Sequence, residues 1–293
     1  MRLLITGCDG QVGTELTRQS RAFGWTVKAV DRDGLDITDL GAVNKAVRAF
    51  MPDVVINAAA YTAVDKAEND RISAFTVNRD GPKNLAVACA DLGIPLIHYS
   101  TDYVFDGSKT DAYDENDPVA PQGVYGESKL AGEQAVQELC SKYLVLRTSW
   151  VFSSHGNNFV KTMLRLAFER EVLGVVADQF GKPTSAAEIA RLTLRMLPEA
   201  EKCSGIYHLA QPDVTSWYGF AEAIFEEARR QTMALKLEDL NGIATSDYPT
   251  PAKRPANSEL SCDKLESTFS IRIRPWRESL SEVIGEMKDG TGK

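Results

Sequence analysis

A short apolar run, Leu3-Leu4-Ile5-Thr6, breaks into Gly7-Cys8-Asp9-Gly10-Gln11-Val12-Gly13 and then into a helical pattern from Leu16 to Phe23. A strand that gives way to a helix through closely spaced glycines leaves few folds open. The turn reverses sharply and aims backbone N–H groups and a helix N-terminus at one point, an arrangement suited to a pyrophosphate. The spacing is G-x-x-G-x-x-G and not G-x-G-x-x-G, so a purely structural turn is the alternative on the glycines alone. The next segment narrows the choice. Thr26-Val27-Lys28-Ala29-Val30 reads as a second strand ending in Asp31, eighteen residues after Gly13, close to where an acid meets an adenosine ribose.

Asp39 is placed to cap a helix running to about Phe50. Asp53-Val54-Val55-Ile56-Asn57 is a third strand, and it runs into Ala58-Ala59-Ala60-Tyr61-Thr62. Small residues at a strand's carboxyl end admit a cofactor close to the backbone, or equally a close helix–strand contact. A helical stretch through Phe75 to Cys89 precedes the strand Leu96-Ile97-His98-Tyr99-Ser100-Thr101, and Leu144 to Arg147 is another strand. Strands alternating with helices at this spacing predict an α/β fold, a doubly wound parallel Rossmann-type sheet with right-handed crossovers. After about residue 152 the pattern loosens, and it rejoins the sheet at Ile206-Tyr207-His208-Leu209. The expectation is a dinucleotide-binding domain over 1–151, with returning segments near 184–210, and a smaller interleaved C-terminal substrate domain over most of 152–293. A C-terminal helix from Pro275 to Met287 reads as structural, and a frayed tail is expected from Asp289.

Composition restricts the partners. A net charge of -8 argues against nucleic acid or an acidic membrane surface. Five scattered cysteines without a Cys-x-x-Cys suit a reducing cytoplasm, and His98, His155 and His208 lack zinc-ligand spacing. No apolar run approaches the ~18 residues of a membrane span, and the N-terminus carries no signal-peptide pattern. A cytoplasmic protein is expected.

One stretch carries chemistry. In Tyr125-Gly-Glu-Ser-Lys129 the phenol and the ammonium are four residues apart, so on a helix they share one face. A neighbouring cation lowers a phenol's pKa from about 10, which suits proton donation to a carbonyl. Taken alone, the spacing fits a solvated helix face better than a catalytic pair.

Together these features resemble the extended short-chain dehydrogenase/reductase superfamily: the glycine turn, Asp31, Asn57-Ala-Ala-Ala60, Ser100-Thr101 and Tyr125-x-x-x-Lys129. Ile97 to Phe105, Val124 to Glu133, Arg147 to Val151, Gln179 to Thr184 and Tyr248 to Ser258 resemble, more narrowly, the dTDP-4-dehydrorhamnose reductase family, over nearly the whole chain. The resemblance implies reduction of the C4 carbonyl of dTDP-4-dehydro-β-L-rhamnose with NADPH or NADH, the product feeding cell-envelope polysaccharide. The alternatives are a reductase of another nucleotide-linked 4-keto-sugar, or a non-catalytic regulatory subunit similar to the β subunit of methionine adenosyltransferase.

The implied catalytic residues are Tyr125 as proton donor, Lys129 to lower its pKa and bind the nicotinamide ribose, and Thr101 to hydrogen-bond the reacting oxygen or the phenol. The cofactor-binding set is Gly7, Gly10, Gln11, Val12, Gly13, Asp31, Asp36, Ile37, Ala60, Tyr61, Thr62 and Tyr99, with Tyr125 and Lys129. Asp31 followed by Arg32 implies use of both cofactors. Thr101, Asp102, Trp150 and Arg254 are implied contacts of a dTDP-linked keto-sugar; the alternatives are loop capping at Asp102 and core packing at Trp150. Lys182 and Lys253 are further candidates for a diphosphate, or solvated loop charges. Nucleotide-sugar dehydratases of the superfamily carry Thr-Asp-Glu where this chain has Thr101-Asp102-Tyr103, so reduction is implied over elimination. Glu15 and Glu188 match glutamates that hold Mg²⁺ between the subunits of some relatives, implying a homodimer; solvated helix glutamates are the alternative.

Overall fold

The computed structural model describes residues 1–290, so most of the tail expected to fray from Asp289 lies outside the described residues. The first half is β1 (Arg2–Thr6), α1 (Gln11–Ser20), β2 (Thr26–Val30), α2 (Leu40–Phe50), β3 (Val54–Asn57), α3 (Val64–Ala67), α4 (Arg71–Phe75), α5 (Gly81–Leu92), β4 (Leu96–Thr101), α6 (Val124–Leu139) and β5 (Tyr143–Thr148). Then come β6 (Val151–Phe152), α7 (Phe159–Glu169), β7 (Val172–Val176), β8 (Phe180–Gly181), β9 (Thr184–Ser185), α8 (Ala186–Met196), β10 (Gly205–His208) and β11 (Thr215–Ser216). The chain closes with α9 (Trp217–Arg230), β12 (Asp239–Ile243), β13 (Asn257–Ser258), α10 (Asp263–Phe269) and α11 (Trp276–Lys288).

Six strands form one sheet in the order β10-β5-β4-β3-β1-β2, every neighbouring pair parallel. Alternation splits each strand between two cores. Leu3, Ile5, Ile56, Ile97 and Leu146 pack with Leu16 of α1 and Ile189 of α8. Leu4, Val55, Leu96 and Val145 pack with Val43 of α2, Leu85 of α5 and Val136 of α6. That is why the strands read as unbroken apolar runs: both faces are covered. The chain winds one way from β1 to β2 and the other way from β3 onward, so the sheet opens a crevice at the carboxyl ends of β1 and β3, where ligands of such sheets bind.

A third core gathers Phe152, Met163, Leu173, Phe220 and Trp276 from β6, α7, β7, α9 and α11, and β12 pairs with β7 beside it. The helix starts reflect side-chain capping: Asp39 accepts from the Ala42 N–H, Asn158 from that of Lys161 and Ser216 from that of Gly219. The stretch expected as one helix from Phe75 to Cys89 is interrupted by a π-helical turn at Thr76–Asp80. Pro82 has no N–H to give the Asn78 carbonyl, so a regular helix cannot pass this point unbroken. Gly132 of α6 fills the space instead; a Cβ there would meet the Asn78 carbonyl oxygen.

Candidate active site

Gly7 closes β1 with φ 69°, a left-handed conformation that favours glycine. A Cβ at Gly7 would lie 2.5 Å from the Ala59 amide nitrogen, and one at Gly13 would run into the Gly7 carbonyl. The turn is therefore packed directly on Ala58 and Ala59 at the crevice. Helix α1 begins at Gln11, and the N–H groups of its first turn point out of the helix end without intrahelical acceptors. Beside it lies a cavity of about 530 Å³ lined by Gly7, Gly10, Asp31, Arg32, Asp36, Ile37, Ala58, Ala59, Ala60, Tyr61 and Lys66, among others. Glycine turn, helix terminus and a cavity edged by two cations fit a dinucleotide.

Within this wall Asp31 accepts from the Gly34 N–H at 2.8 Å, leaving its second oxygen for a ribose. Asp36 is held low in pKa by the Thr38 hydroxyl and N–H. The Gln11 side chain turns away, its amide oxygen accepting from Ser153 and Asn158, and Val12, in the first turn of α1, packs against the core between the sheet and α8. Both can face a ligand only through their backbone. Thr62 is exposed and outside the cavity wall. The Tyr99 phenol is also elsewhere: it is buried against α8, bonded to the Thr193 hydroxyl at 2.8 Å.

Tyr125, Lys129 and Thr101 come together where β4 ends beside α6. The Lys129 ammonium is buried and donates to the Tyr99 carbonyl at 2.5 Å, so Tyr99 serves the group through its backbone. Burial lowers the Lys129 pKa to about 8, partly offset by the charge of Glu133. Tyr125 keeps some ring exposure while its hydroxyl is buried, and its ring meets that of Tyr103 edge-on at 5.5 Å. Burial pushes the phenol's pKa up, and a hydrogen bond with the Thr101 side chain pulls the other way. This differs from the expectation that Lys129 draws the phenol down: burial dominates, and the contact the ammonium makes, with one of its three donors, is to the Tyr99 carbonyl. A raised pKa keeps the proton on Tyr125 at neutral pH, the form a proton donor needs.

Thr101 donates to Asp102 at 2.9 Å and accepts from the Tyr103 N–H. Asp102 is buried, with burial pushing its carboxyl up to about 6 against hydrogen bonds from Ser258 and Thr101. It lines neither cavity and fits the loop-capping alternative.

A second cavity, of about 640 Å³, is lined by Val64, Asp65, Tyr103, Phe159, Met163, Gln179, Trp217, Tyr248 and Arg254, among others. Arg254 donates to Asp65 at 2.6 Å and to the Tyr103 hydroxyl at 3.3 Å. Trp150 lies behind the wall, stacked on Trp217 with ring centroids 3.5 Å apart and backing onto Gly181, as core packing predicts. Lys182 is tied to the Leu260 carbonyl and Glu259, and Lys253 to Gln122. The two cavities share a partition: Val64 and Asp65 of α3 face the larger, and Lys66 faces the smaller.

Neither glutamate of the expected metal site is a solvated helix residue. Glu15 and Glu188 are 2% and 0% exposed, because α1 and α8 pack against the same face of the sheet. Glu15 takes hydrogen bonds from Arg18 and Gln19, and Glu188 is paired with Arg191 and Arg274. Among the described residues no three His, Cys, Asp or Glu side chains are grouped to hold a metal. A cation at Glu188 would have to displace arginine, and one at Glu15 would compete with Arg18 on one oxygen and meet the His155 ring at the other.

Two buried features escape sequence reasoning. Asn78, in the π turn, accepts from the Tyr61 N–H at 2.8 Å and donates to the Tyr61 carbonyl and the Ser128 hydroxyl, both at 3.0 Å. It clamps the loop after β3 to the helix carrying Tyr125 and Lys129. The other is the Glu133–Arg147 pair beneath Lys129. The break at Gly81-Pro82 was the one signal pointing to Asn78; nothing local pointed to the pair.

The profile of the family described as "RmlD substrate binding domain" matches residues 1–289. The dTDP-4-dehydrorhamnose reductase of Escherichia coli K12 is 44% identical over 294 residues, covering 98% of this chain and 98% of its own. That of Sinorhizobium fredii is 46% identical over 290 residues, covering 97% of each. Among solved structures, the dTDP-4-dehydrorhamnose reductase of Bacillus anthracis in complex with NADP is similar with a TM-score of 0.92 at 38% identity, over 97% of this chain and 99% of that one.

Proposed function

Because the chain belongs to the dTDP-4-dehydrorhamnose reductase family, we propose that it is the oxidoreductase that reduces the C4 carbonyl of dTDP-4-dehydro-β-L-rhamnose to give dTDP-β-L-rhamnose. The observation that carries the reading is the buried group of Tyr125, Thr101 and Lys129 at the end of β4. A reduced nicotinamide dinucleotide supplies the hydride. Tyr125 gives its proton to the carbonyl oxygen, and the phenolate left behind is stabilised by the Lys129 ammonium and by the Thr101 hydroxyl, which turns its one proton from Asp102 to the phenolate. Lys129 is charged below its pKa of about 8, so it is a cation at neutral pH.

Elimination would need a base, and position 103 cannot supply one: burial pushes the Tyr103 phenol up to about 12. In this reading the larger cavity takes the nucleotide-sugar. Arg254 is the candidate contact for its diphosphate, exchanging Asp65 for phosphate through a fork of donors. Asp102 and Trp150 act from behind that wall.

The five cysteines are free and no helix of the described residues is long and apolar enough to cross a membrane, which suits the cytoplasmic site of action we assign. The product's use in cell-envelope polysaccharide, including O antigen, belongs to the same reading.

Turnover should be assayed with dTDP-4-dehydrorhamnose and other dTDP- and UDP-linked keto-sugars, each with NADPH and NADH. The dTDP-rhamnose precursor is expected to be preferred, with the two cofactors within about tenfold, or ~1.4 kcal/mol. A protein inert towards every keto-sugar would be a regulatory subunit, and the reductase reading would fall.

We also assign a homodimer. If Mg²⁺ held it together, chelator would dissociate it. The arginine partners of Glu15 and Glu188 lead us to expect the same elution volume on a sizing column with and without EDTA. A shift to monomer in EDTA would restore the metal.

A further inference from the structure

Tyr125, Lys129 and Glu133 succeed one another at four-residue intervals along α6, so they line one strip of the helix. Lys129 and Glu133 are 3% and 0% exposed. Arg147, reaching over from β5, holds both oxygens of Glu133, Nε to Oε1 at 2.9 Å and Nη2 to Oε2 at 2.8 Å. Its guanidinium lies 5.1 Å from the centre of the Phe105 ring, which helps fix the fork. Buried ion pairs are weak sources of stability, since desolvation offsets the attraction. A buried pair one helical turn from a catalytic ammonium invites another explanation.

Apart from one carbonyl that accepts from the ammonium, the surroundings of Lys129 do little for a charge. From β4 it meets the Tyr99 carbonyl, and His98 is buried and neutral, its pKa held low by burial and by Lys129 itself. Tyr125 shares its helix with the proton retained, while Asp102 and Tyr103 act on Tyr125. Arg147 from β5 is a like charge. Glu133 is the nearby carboxylate that favours the ammonium form, and its influence on Lys129 is opposite to that of burial.

We propose that Glu133 is a positioning residue for the reductive step: locked in place by Arg147, its carboxylate keeps the positive charge on Lys129. The inference rests on the reductase reading for its consequence, since Lys129 must be charged to steady the Tyr125 phenolate and to meet the nicotinamide ribose. Glu133 touches no reacting atom; it acts through Lys129.

The test is the pH dependence of NADPH binding, monitored by nicotinamide fluorescence, which needs no sugar. In the unaltered protein binding should weaken as pH rises through about 8. Glu133→Gln keeps an acceptor for Arg147 but removes the charge, and should move that limb down by about one pH unit or more, as expected for loss of a close counter-charge. Glu133→Asp should bring it back to within a few tenths. Glu133→Gln leaves Arg147 uncompensated and risks not folding, so Glu133→Gln/Arg147→Met is measured alongside. Removing the repulsive guanidinium as well, it should titrate between the single variant and the parent. A folded Glu133→Gln protein, or the double variant where the single does not fold, that titrates with the parent would falsify the proposal. Failure of the parent to bind NADPH at all would overturn the reductase reading and this inference with it.

Discussion

Replacing Tyr125 by phenylalanine is expected to slow single-turnover reduction of dTDP-4-dehydrorhamnose by roughly 10²–10⁴, the usual range for a lost general acid, with NADPH affinity nearly unchanged. The ring meets Tyr103 edge-on and packs with Val124, contacts that phenylalanine keeps. Only the hydroxyl beside Thr101 is lost. The cofactor cavity, built on Gly7, Gly10 and Ala58 to Tyr61, does not include Tyr125. Lys129→Met should differ: it deletes the donor to the Tyr99 carbonyl and the cation we assign to the nicotinamide ribose, so rate and cofactor affinity should fall together. Reduction by Tyr125→Phe within a few-fold of the parent would mean that another group delivers the proton.

Gly7→Ala is expected to abolish measurable cofactor binding, with an affinity loss above about 10², and to lower thermal stability. Two costs add. A side chain at φ 69° is strained by about 1–2 kcal/mol. Its Cβ would also sit 2.5 Å from the Ala59 nitrogen and 2.6 Å from the Ala59 Cα, backbone atoms that cannot swing aside. Overpacking of that kind costs about 1–3 kcal/mol, and relief requires pulling apart the two walls of the crevice. Gly24→Ala is the control: φ is 66° there, but a Cβ meets nothing within 4 Å. Gly24→Ala should lose about 1–2 kcal/mol of stability and no cofactor affinity. Equal effects in both variants would mean that strain alone, and not the contact with Ala59, decides the outcome.

What could be read along the chain was what depends on near neighbours. The glycine turn, Asp31 at the end of β2, the Asp39 cap and the Tyr125–Lys129 spacing are each set within a few residues, and their backbone placement is local too. The same holds for the alternating strands, whose apolar runs reflect cover on both faces. Burial of polar groups was not legible. Glu15 and Glu188 sit in helices with polar neighbours, and only the packing of α1 and α8 on the sheet shows that they are enclosed with arginines. Tyr99 is on the strand that ends at the catalytic group, yet its phenol bonds Thr193 far along the chain. Trp150 is withdrawn behind Trp217, and Asp102 is turned inward to Ser258 as well as to its neighbour Thr101, for the same reason: Trp217 and Ser258 come from distant segments.

Helix α3 is four residues long, and its residues face both cavities. Asp65 also anchors the 250s loop, accepting from the Ala252 N–H and from Arg254. A wall this thin has no independent settings for its two sides. If filling one chamber changes the affinity of the other by some factor, the reverse influence must have the same factor, since both routes reach the same ternary state. Order of addition can then alter rates, but cooperativity at equilibrium is a single number, obtainable by titrating either ligand in the presence and absence of its counterpart.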